Sequence, residues 1–280
     1  VIVTHPDHYD ILPYEILEGK TFIYDCMDNY KTFPGCKKEV MIKKEMKLIN
    51  LCDGIIVSSM DLYNELIKYD ENIEKKLHLI NNGVDPEKFS LDNLSKENEV
   101  DIWRDNERKK VGFIGTISEW VDLNLIKLIA LKNKNVDFYM IGPVDRSINL
   151  DDYNNIDNIF FTNVQPYYSI PNILDGLDVT IMPFKKSKLV ESVNPVKIYE
   201  YLAMAKPVIA IRYDETKKFG DLIYTYETIE EFDSILKGLL TECIDDEVIN
   251  NRIRFAKQNS WKERTSQLEG IIIECKSKAE

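Results

Sequence analysis

Short runs of β-branched and aromatic residues alternate along the whole chain with segments whose apolar positions recur every three or four residues. Runs at Val1 to Thr4, Thr21 to Tyr24, Gly54 to Ser58 and Leu77 to Ile80 predict strands, and Lys38 to Leu51 and Met60 to Tyr69 predict helices between them. From Asp85 to Asn106 the periodicity lapses into a polar, charged stretch, which predicts an interdomain linker over 91–106. Beyond it, strands are expected at Lys110 to Ile114, Val136 to Ile141, Asn158 to Thr162, Val179 to Met182, Pro207 to Ile211 and Leu222 to Tyr226. Ser260 to Lys278 reads as a closing amphipathic helix. Strands alternating with helices imply parallel sheets wrapped by helices, so the fold class is α/β. The first sheet is thin and the second matches a complete doubly wound sheet.

Composition narrows the class. A length of 280 residues suits about two domains of ~150 residues each. The net charge of −12 argues against a surface that holds phosphate backbones, so nucleic acid is not an expected partner. No apolar run approaches the ~20 residues of a membrane span. Cys26, Cys36, Cys52, Cys243 and Cys275 form no C-x-x-C pair, and only His5, His8 and His78 could join them, so a reducing cytoplasm without structural zinc is expected. Val1 opens directly into an apolar run without a signal-peptide pattern, and the chain reads as a piece of something longer.

In open parallel sheets ligands bind beyond the carboxyl ends of the strands. The loop after Val179 to Met182 carries Lys185, Lys186 and Lys188, and it leads through Asn194 and Pro195 into Val196 and Lys197. Asn194 is expected to cap a helix with Pro195 in its first position, so the N–H groups of Val196 and Lys197 would project from a helix start that favours anions. Lys197 and Glu200 then share one helical face, a cation for a diphosphate beside a carboxylate for ribose hydroxyls. The alternative is a solvated lysine loop with an ordinary surface pair. After Val111 to Ile114 comes Gly115-Thr116, where backbone can approach a ligand, and Ser118 is expected to cap the next helix. Asn82-Gly83 ahead of Pro86 reads as a turn at a domain exit. His5 and His8 are expected in an exposed turn, Asp25 and Asp28 in structural or acceptor-binding roles, and Trp120 and Trp261 in packing.

The order and spacing of these elements resemble the retaining nucleotide-sugar glycosyltransferases of the GT-B fold, the family that includes bacterial polysaccharide and teichuronic-acid transferases. The likeness is carried by Tyr24-Asp25-Cys26-Met27-Asp28-Asn29-Tyr30, Asn82-Gly83-Val84-Asp85, Gly115 with Trp120 and Asp122, and Ile141-Gly142-Pro143. It continues through Pro183-Phe184, the run Pro195 to Ala203 with Ala205-Lys206-Pro207-Val208, and Asn259-Ser260-Trp261.

The resemblance implies two Rossmann-like domains, the first truncated: an acceptor-side domain over 1–90, a nucleotide-sugar domain over 107–259, and a helix over 260–280 crossing back to the first. It implies a UDP-sugar donor, a saccharide or lipid-linked acceptor, retention of anomeric configuration, no metal, and a cytoplasmic protein with possible peripheral contact at the inner membrane face. Lys197, Glu200 and Glu191 become the candidate catalytic residues. Gly115, Thr116, Lys185, Asn194, Pro195, Val196, Val164 and Tyr167 become the donor-binding candidates, with the uracil against Asn163 to Tyr167. One departure stands out: the family's first acid would fall at Ser192, with Glu191 one residue earlier. A UDP-sugar 2-epimerase, which needs a histidine-rich catalytic signature, fits poorly with three scattered histidines. A catalytically silent nucleotide-sugar-binding or scaffold subunit is the remaining alternative.

Overall fold

The computed structural model describes residues 1–16, 18–98, 100–105, 107–242 and 245–279; Glu99, Asn106 and Cys243, which the sequence reading touched, lie outside them. In chain order the elements are β1 (Ile2–Val3), β2 (Ile23–Cys26), α1 (Lys38–Leu51), β3 (Gly54–Val57), α2 (Met60–Ile67), β4 (Leu77–Leu79), β5 (Lys109–Ile114), α3 (Leu123–Lys132), β6 (Val136–Ile141) and β7 (Ile159–Thr162). There follow α4 (Ile170–Asp175), β8 (Val179–Met182), α5 (Lys188–Glu191), α6 (Val196–Ala203), β9 (Val208–Ile211), α7 (Asp214–Lys217), β10 (Tyr224–Tyr226), α8 (Ile229–Thr241), α9 (Asp246–Gln258) and α10 (Trp261–Ala279). The chain divides into two compact units. One comprises Val1–Asn82, Lys188–Asn194 and the residues from Trp261 onward, the other Gly83–Ser187 and Pro195–Ser260.

The first unit holds a parallel sheet in the order β1-β2-β3-β4 among the described residues. Tyr24, Cys26, Ile55 and Val57 alternate onto one face and pack with Leu48 and Ile49 of α1 and Leu62 and Leu66 of α2. Ile23 and Ile56 point to the other face, where Leu268, Ile271, Ile272 and Cys275 of α10 cover them. This two-sided burial is why the strands are short apolar runs. The α1 core face contains one charge: Glu45 accepts the Tyr24 hydroxyl at 2.9 Å on one oxygen and the Tyr69 hydroxyl at 2.9 Å on the other. Asn82 and Gly83 form no turn. Asn82 donates its N–H to Asn194 Oδ1 at 2.8 Å, and the turn comes later, where Asp85 Oδ1 accepts the N–H groups of Glu87 and Lys88.

The second unit's sheet runs β10-β9-β8-β5-β6-β7, all parallel. This is the doubly wound order, whose direction reverses between β5 and β8 and opens a ligand crevice at their carboxyl ends. Its central strands are fully covered: every residue of β6, β8 and β9 is buried. Asn158 pins the edge by donating Nδ2 to the carbonyls of Ala130, Asn133 and Val136 at 3.1, 3.1 and 2.8 Å. Helix α3 is capped by Asp122, whose Oδ1 accepts Leu125 N–H at 3.0 Å, and not by Ser118, which donates its hydroxyl to Asp145 at 3.3 Å. Asp122 stands immediately before the first helical residue, within reach of the orphan amides. Trp261 opens α10 and is 43% exposed, so just over half of it is covered.

Helix α6 ends in a tight double-bonded cap: Lys206 N–H reaches Tyr201 O at 2.9 Å and Ala205 N–H reaches Leu202 O at 3.0 Å. The geometry demands a left-handed residue, and Ala205 supplies it at φ 59° in place of the usual glycine. The fully buried Arg252 holds this corner, donating Nε to Leu222 O at 2.9 Å and Nη1 to Ala205 O at 3.4 Å. A Cβ in this conformation costs about 1–2 kcal/mol, partly offset because alanine has a less disordered unfolded state than glycine. Ala205→Gly is therefore expected to raise stability by about 0.5–1 kcal/mol, and Ala205→Val to lower it, read as the shift in urea midpoint.

Candidate functional site

Three strand ends, those of β5, β6 and β7, and one helix build the site in the second unit. After β5 the chain turns at Gly115, and after β6 at Gly142, with Gly115 N–H donated to Ile141 O at 2.8 Å. Both glycines have positive φ, 154° and 137°. A Cβ on Gly142 would lie 2.4 Å from Gly115 O, so the two backbones touch only because Gly142 carries no side chain. The β5 and β6 loops then run on together, through Ile117 N–H to Pro143 O at 2.8 Å and Asp145 N–H to Ile117 O at 2.9 Å.

Helix α6 lies against this floor. Ile198, Tyr199, Tyr201, Leu202 and Ala203 turn into the core, which leaves Lys197 and Glu200 on the opposite face, three residues apart. The buried Tyr201 fixes the helix to the end of β5: its phenolic oxygen accepts Ile114 N–H at 3.0 Å. The Lys197 side chain runs across Gly115 so closely that a Cβ there would sit 2.2 Å from its Cε. Ile114, Gly115, Thr116, Ile141, Gly142, Pro143, Val164, Gln165, Tyr167, Ile170, Lys197 and Glu200 together enclose a cavity of about 300 Å³.

The electrostatics of this cavity are unusual for a salt-bridge-rich surface. Among the described residues Lys197 makes no hydrogen bond or ion pair. Burial lowers its pKa, opposed by the nearby Glu200 carboxylate. Burial raises the pKa of Glu200, with Lys197, the Tyr167 hydroxyl and Lys88 pulling it back. The Tyr167 hydroxyl lies 3.4 Å from Glu200 Oε1, and the Lys88 ammonium sits 3.5 Å above the Tyr167 ring centroid. Burial first, and then Glu200, pushes the Tyr167 phenol up to about 12. A cation and a carboxylate, half-desolvated and unpaired with each other, are the pattern of a ligand site.

The structure brings Gly115, Thr116, Val164, Tyr167, Lys197 and Glu200 together around the cavity. Lys185 is drawn aside: its ammonium donates to Glu119 O at 2.8 Å, while its N–H bonds Trp120 O at 2.7 Å. Pro195 occupies the cap position of α6, with Val196 as the first helical residue, and no side chain caps that start. Asn194 does not cap it because Asn194 Oδ1 is committed to Asn82 N–H in the first unit. Glu191 is also placed in the first unit, on α5, with its carboxylate 3.3 Å from Lys188 Nζ. Ser192 is fully buried, donating its hydroxyl to Leu189 O at 2.7 Å and accepting the Ser59 hydroxyl on its carbonyl at 2.6 Å.

Gly142, Tyr201 and Lys88 contribute to the site without having been singled out for it. The Gly142 signal was available as a second glycine ending a strand; the other two side chains depend on tertiary placement. Among the described residues, no group of three or more His, Cys, Asp or Glu residues is placed to hold a metal ion. No helix among them is long and apolar enough to cross a membrane.

A doubly wound sheet with a cavity at its switch point in one unit and a second parallel sheet in the other are the elements of the GT-B fold, and solved structures share them. Anabaena HepE, solved with UDP and glucose, superposes with a TM-score of 0.72 at 14% identity, over 96% of this chain and 76% of that one. Sucrose-phosphate synthase of Thermosynechococcus elongatus gives 0.73 at 12% identity, over 98% and 72%. At these identities the likeness establishes the fold. Residues 108–241 match the family model described as "Glycosyl transferases group 1". Bacillus subtilis (strain 168) TuaH, described as a teichuronic acid biosynthesis glycosyltransferase, is 27% identical over 254 residues. That alignment takes in 85% of this chain, which spans 63% of the length of that relative.

The glycine contact separates two substitutions. Gly142→Ala drives a methyl into backbone and is expected to cost about 1–3 kcal/mol of stability, measured by thermal or urea unfolding. Gly115→Ala meets the flexible end of Lys197 and, at 3.1 Å, the Phe113 ring, at a φ of 154° that a side chain rarely adopts. It is expected to displace the ammonium toward solvent, so that NMR titration finds the Lys197 pKa back near the usual 10.5.

Proposed function

We propose that the chain is a glycosyltransferase that takes a nucleoside diphosphate sugar, UDP-linked, into the second-unit cavity and passes the sugar to a saccharide or lipid-linked acceptor in bacterial surface polysaccharide synthesis. The observation that carries this reading is the unpaired Lys197 ammonium beside the Glu200 carboxylate, over a floor of bare glycine backbone at the switch point. The family match over 108–241 and the likeness to TuaH support it.

In this reading the diphosphate lies against Gly115 and Thr116 with Lys197 as its cation, and the uncapped N–H groups at the start of α6 add a positive pole. Glu200 accepts the ribose hydroxyls, and Val164 and Tyr167 border the base. As the glycosidic bond lengthens, negative charge builds on the departing diphosphate, and fixed donors already in place stabilise it without reorganisation. These donors can serve without a metal. Retention of configuration follows from the family resemblance, with the acceptor attacking from the face the leaving group vacates. Peripheral attachment at the inner membrane face belongs to the same reading and would suit a lipid-linked acceptor.

One feature favours a second reading, nucleotide-sugar binding without transfer: the position where the family's first acid is expected holds the buried Ser192. Slow release of free sugar from the donor supports the transferase, whereas nucleotide binding with no hydrolysis or transfer supports the silent subunit.

Calorimetry with UDP tests the site. Lys197→Ala and Glu200→Ala are each expected to weaken UDP binding about tenfold, ~1.4 kcal/mol; unchanged affinity in both would remove the site. A pH dependence follows from the desolvated lysine. The diphosphate holds protonated Lys197 and so raises its pKa on binding. Affinity is full below the lowered pKa of the free site and falls as pH rises through it, beginning below the range of an ordinary lysine at 10.5. Calorimetry at stepwise alkaline pH is expected to show this decline in the native chain and a flat profile in Lys197→Arg, whose guanidinium stays charged.

A further inference from the structure

Tyr167 borders the base in the nucleotide reading, and its hydroxyl stands on the Glu200 carboxylate that the same reading gives to the ribose. Its hydroxyl is 3.4 Å from Glu200 Oε1, long for an O–H donor and so easily exchanged, and among the described residues it is the hydrogen bond that carboxylate receives. The ring starts a short turn, Tyr167–Ser169, and is 54% exposed, so it can rotate outward without opening the core. Two residues from the segment after β4 steady it: Lys88 lies over its face at 3.5 Å, and Phe89 meets it edge-on with ring centroids 5.8 Å apart. Lys88, Phe89, Tyr167 and Glu200 all belong to the second unit.

We propose that Tyr167 is a latch on the cavity: its phenol competes with a ribose diol for the Glu200 carboxylate, and Lys88 and Phe89 hold the ring in the competing position. The proposal rests on the nucleotide reading above and adds a specific residue that sets its affinity. A ligand that brings two ribose hydroxyls replaces one long hydrogen bond with better ones and displaces the ring. A ligand that brings only phosphates engages Lys197 and leaves the latch in place.

The test is calorimetry on the full chain with two probes, UDP and inorganic pyrophosphate. Tyr167→Phe keeps the ring and its contacts with Lys88 and Phe89 and deletes only the hydroxyl. UDP is expected to bind about threefold to tenfold tighter to this variant, the range set by one net hydrogen bond, with pyrophosphate affinity unchanged. In a Glu200→Ala background the same substitution is expected to have no effect on UDP, because the two residues act on one contact. Unchanged or weaker UDP binding by Tyr167→Phe overturns the latch, and the nucleotide reading then survives if Lys197→Ala still weakens UDP. Equal tightening of pyrophosphate overturns it too, since the effect would not be at the ribose. Failure of the native chain and of every variant to bind UDP overturns the nucleotide reading and the latch with it.

Discussion

The second unit is organised around a contact that no side chain could survive: the backbone of Gly142 resting on the carbonyl of Gly115. With those two strand ends pressed together, the β5 and β6 loops zip along one another, and a shallow floor of peptide groups forms at the switch point of the sheet. The same absence of Cβ lets the Lys197 stem cross Gly115. The helix bearing that lysine is tied down near its carboxyl end, by Tyr201 on Ile114 and by the cap at Ala205 under Arg252. The position of one ammonium group thus depends on two glycines, a tyrosine and a strained alanine, none of which carries charge.

The chain has many surface ion pairs, such as Lys109 with Asp178 and Lys237 with Asp233, and these satisfy their charges locally. Lys197 and Glu200 do not, although they lie one helical turn apart. Holding a cation and an anion half out of water without pairing them is unfavourable for folding alone, and such an arrangement fits a site whose charges are reserved for something else. The loop lysines illustrate the contrast. Lys185 and Lys188 come from the same basic stretch, yet one is spent on a backbone carbonyl and the other on Glu191. Local charge density in the sequence does not mark the lysine that borders the cavity, whereas helix phase does.

The sheets were legible because central parallel strands are buried on both faces and read as continuous β-branched runs: β6, β8 and α1 fall on the residues that periodicity marks. Lys197, Glu200 and Gly115 were legible because a strand end and a three-residue helical spacing are local facts. What was illegible was tertiary. Asn194 has the right chemistry and place for a cap, but its side chain serves Asn82, 112 residues away. Ser118 and Asp122 are both good caps by type, and Asp122 prevails because the helix begins immediately after it. Asn82-Gly83 has a turn's composition, but Asn82 is bonded to Asn194 and the turn falls beyond Asp85. Tyr201 looks like any core aromatic until its hydroxyl is found holding the end of β5.

The last helix, α10, lends the first sheet its second face, laying Leu268, Ile271 and Ile272 over Ile23 and Ile56. Those partners are separated by more than two hundred positions of chain. On a ribosome, which extends a polypeptide from its amino end, β2 and β3 emerge long before the segment that shields them. Through that interval the oily side of the nascent sheet is bare to the cell. The core of the first unit is therefore completed only once α10 has been made, and until then Ile23 and Ile56 present a defined apolar surface.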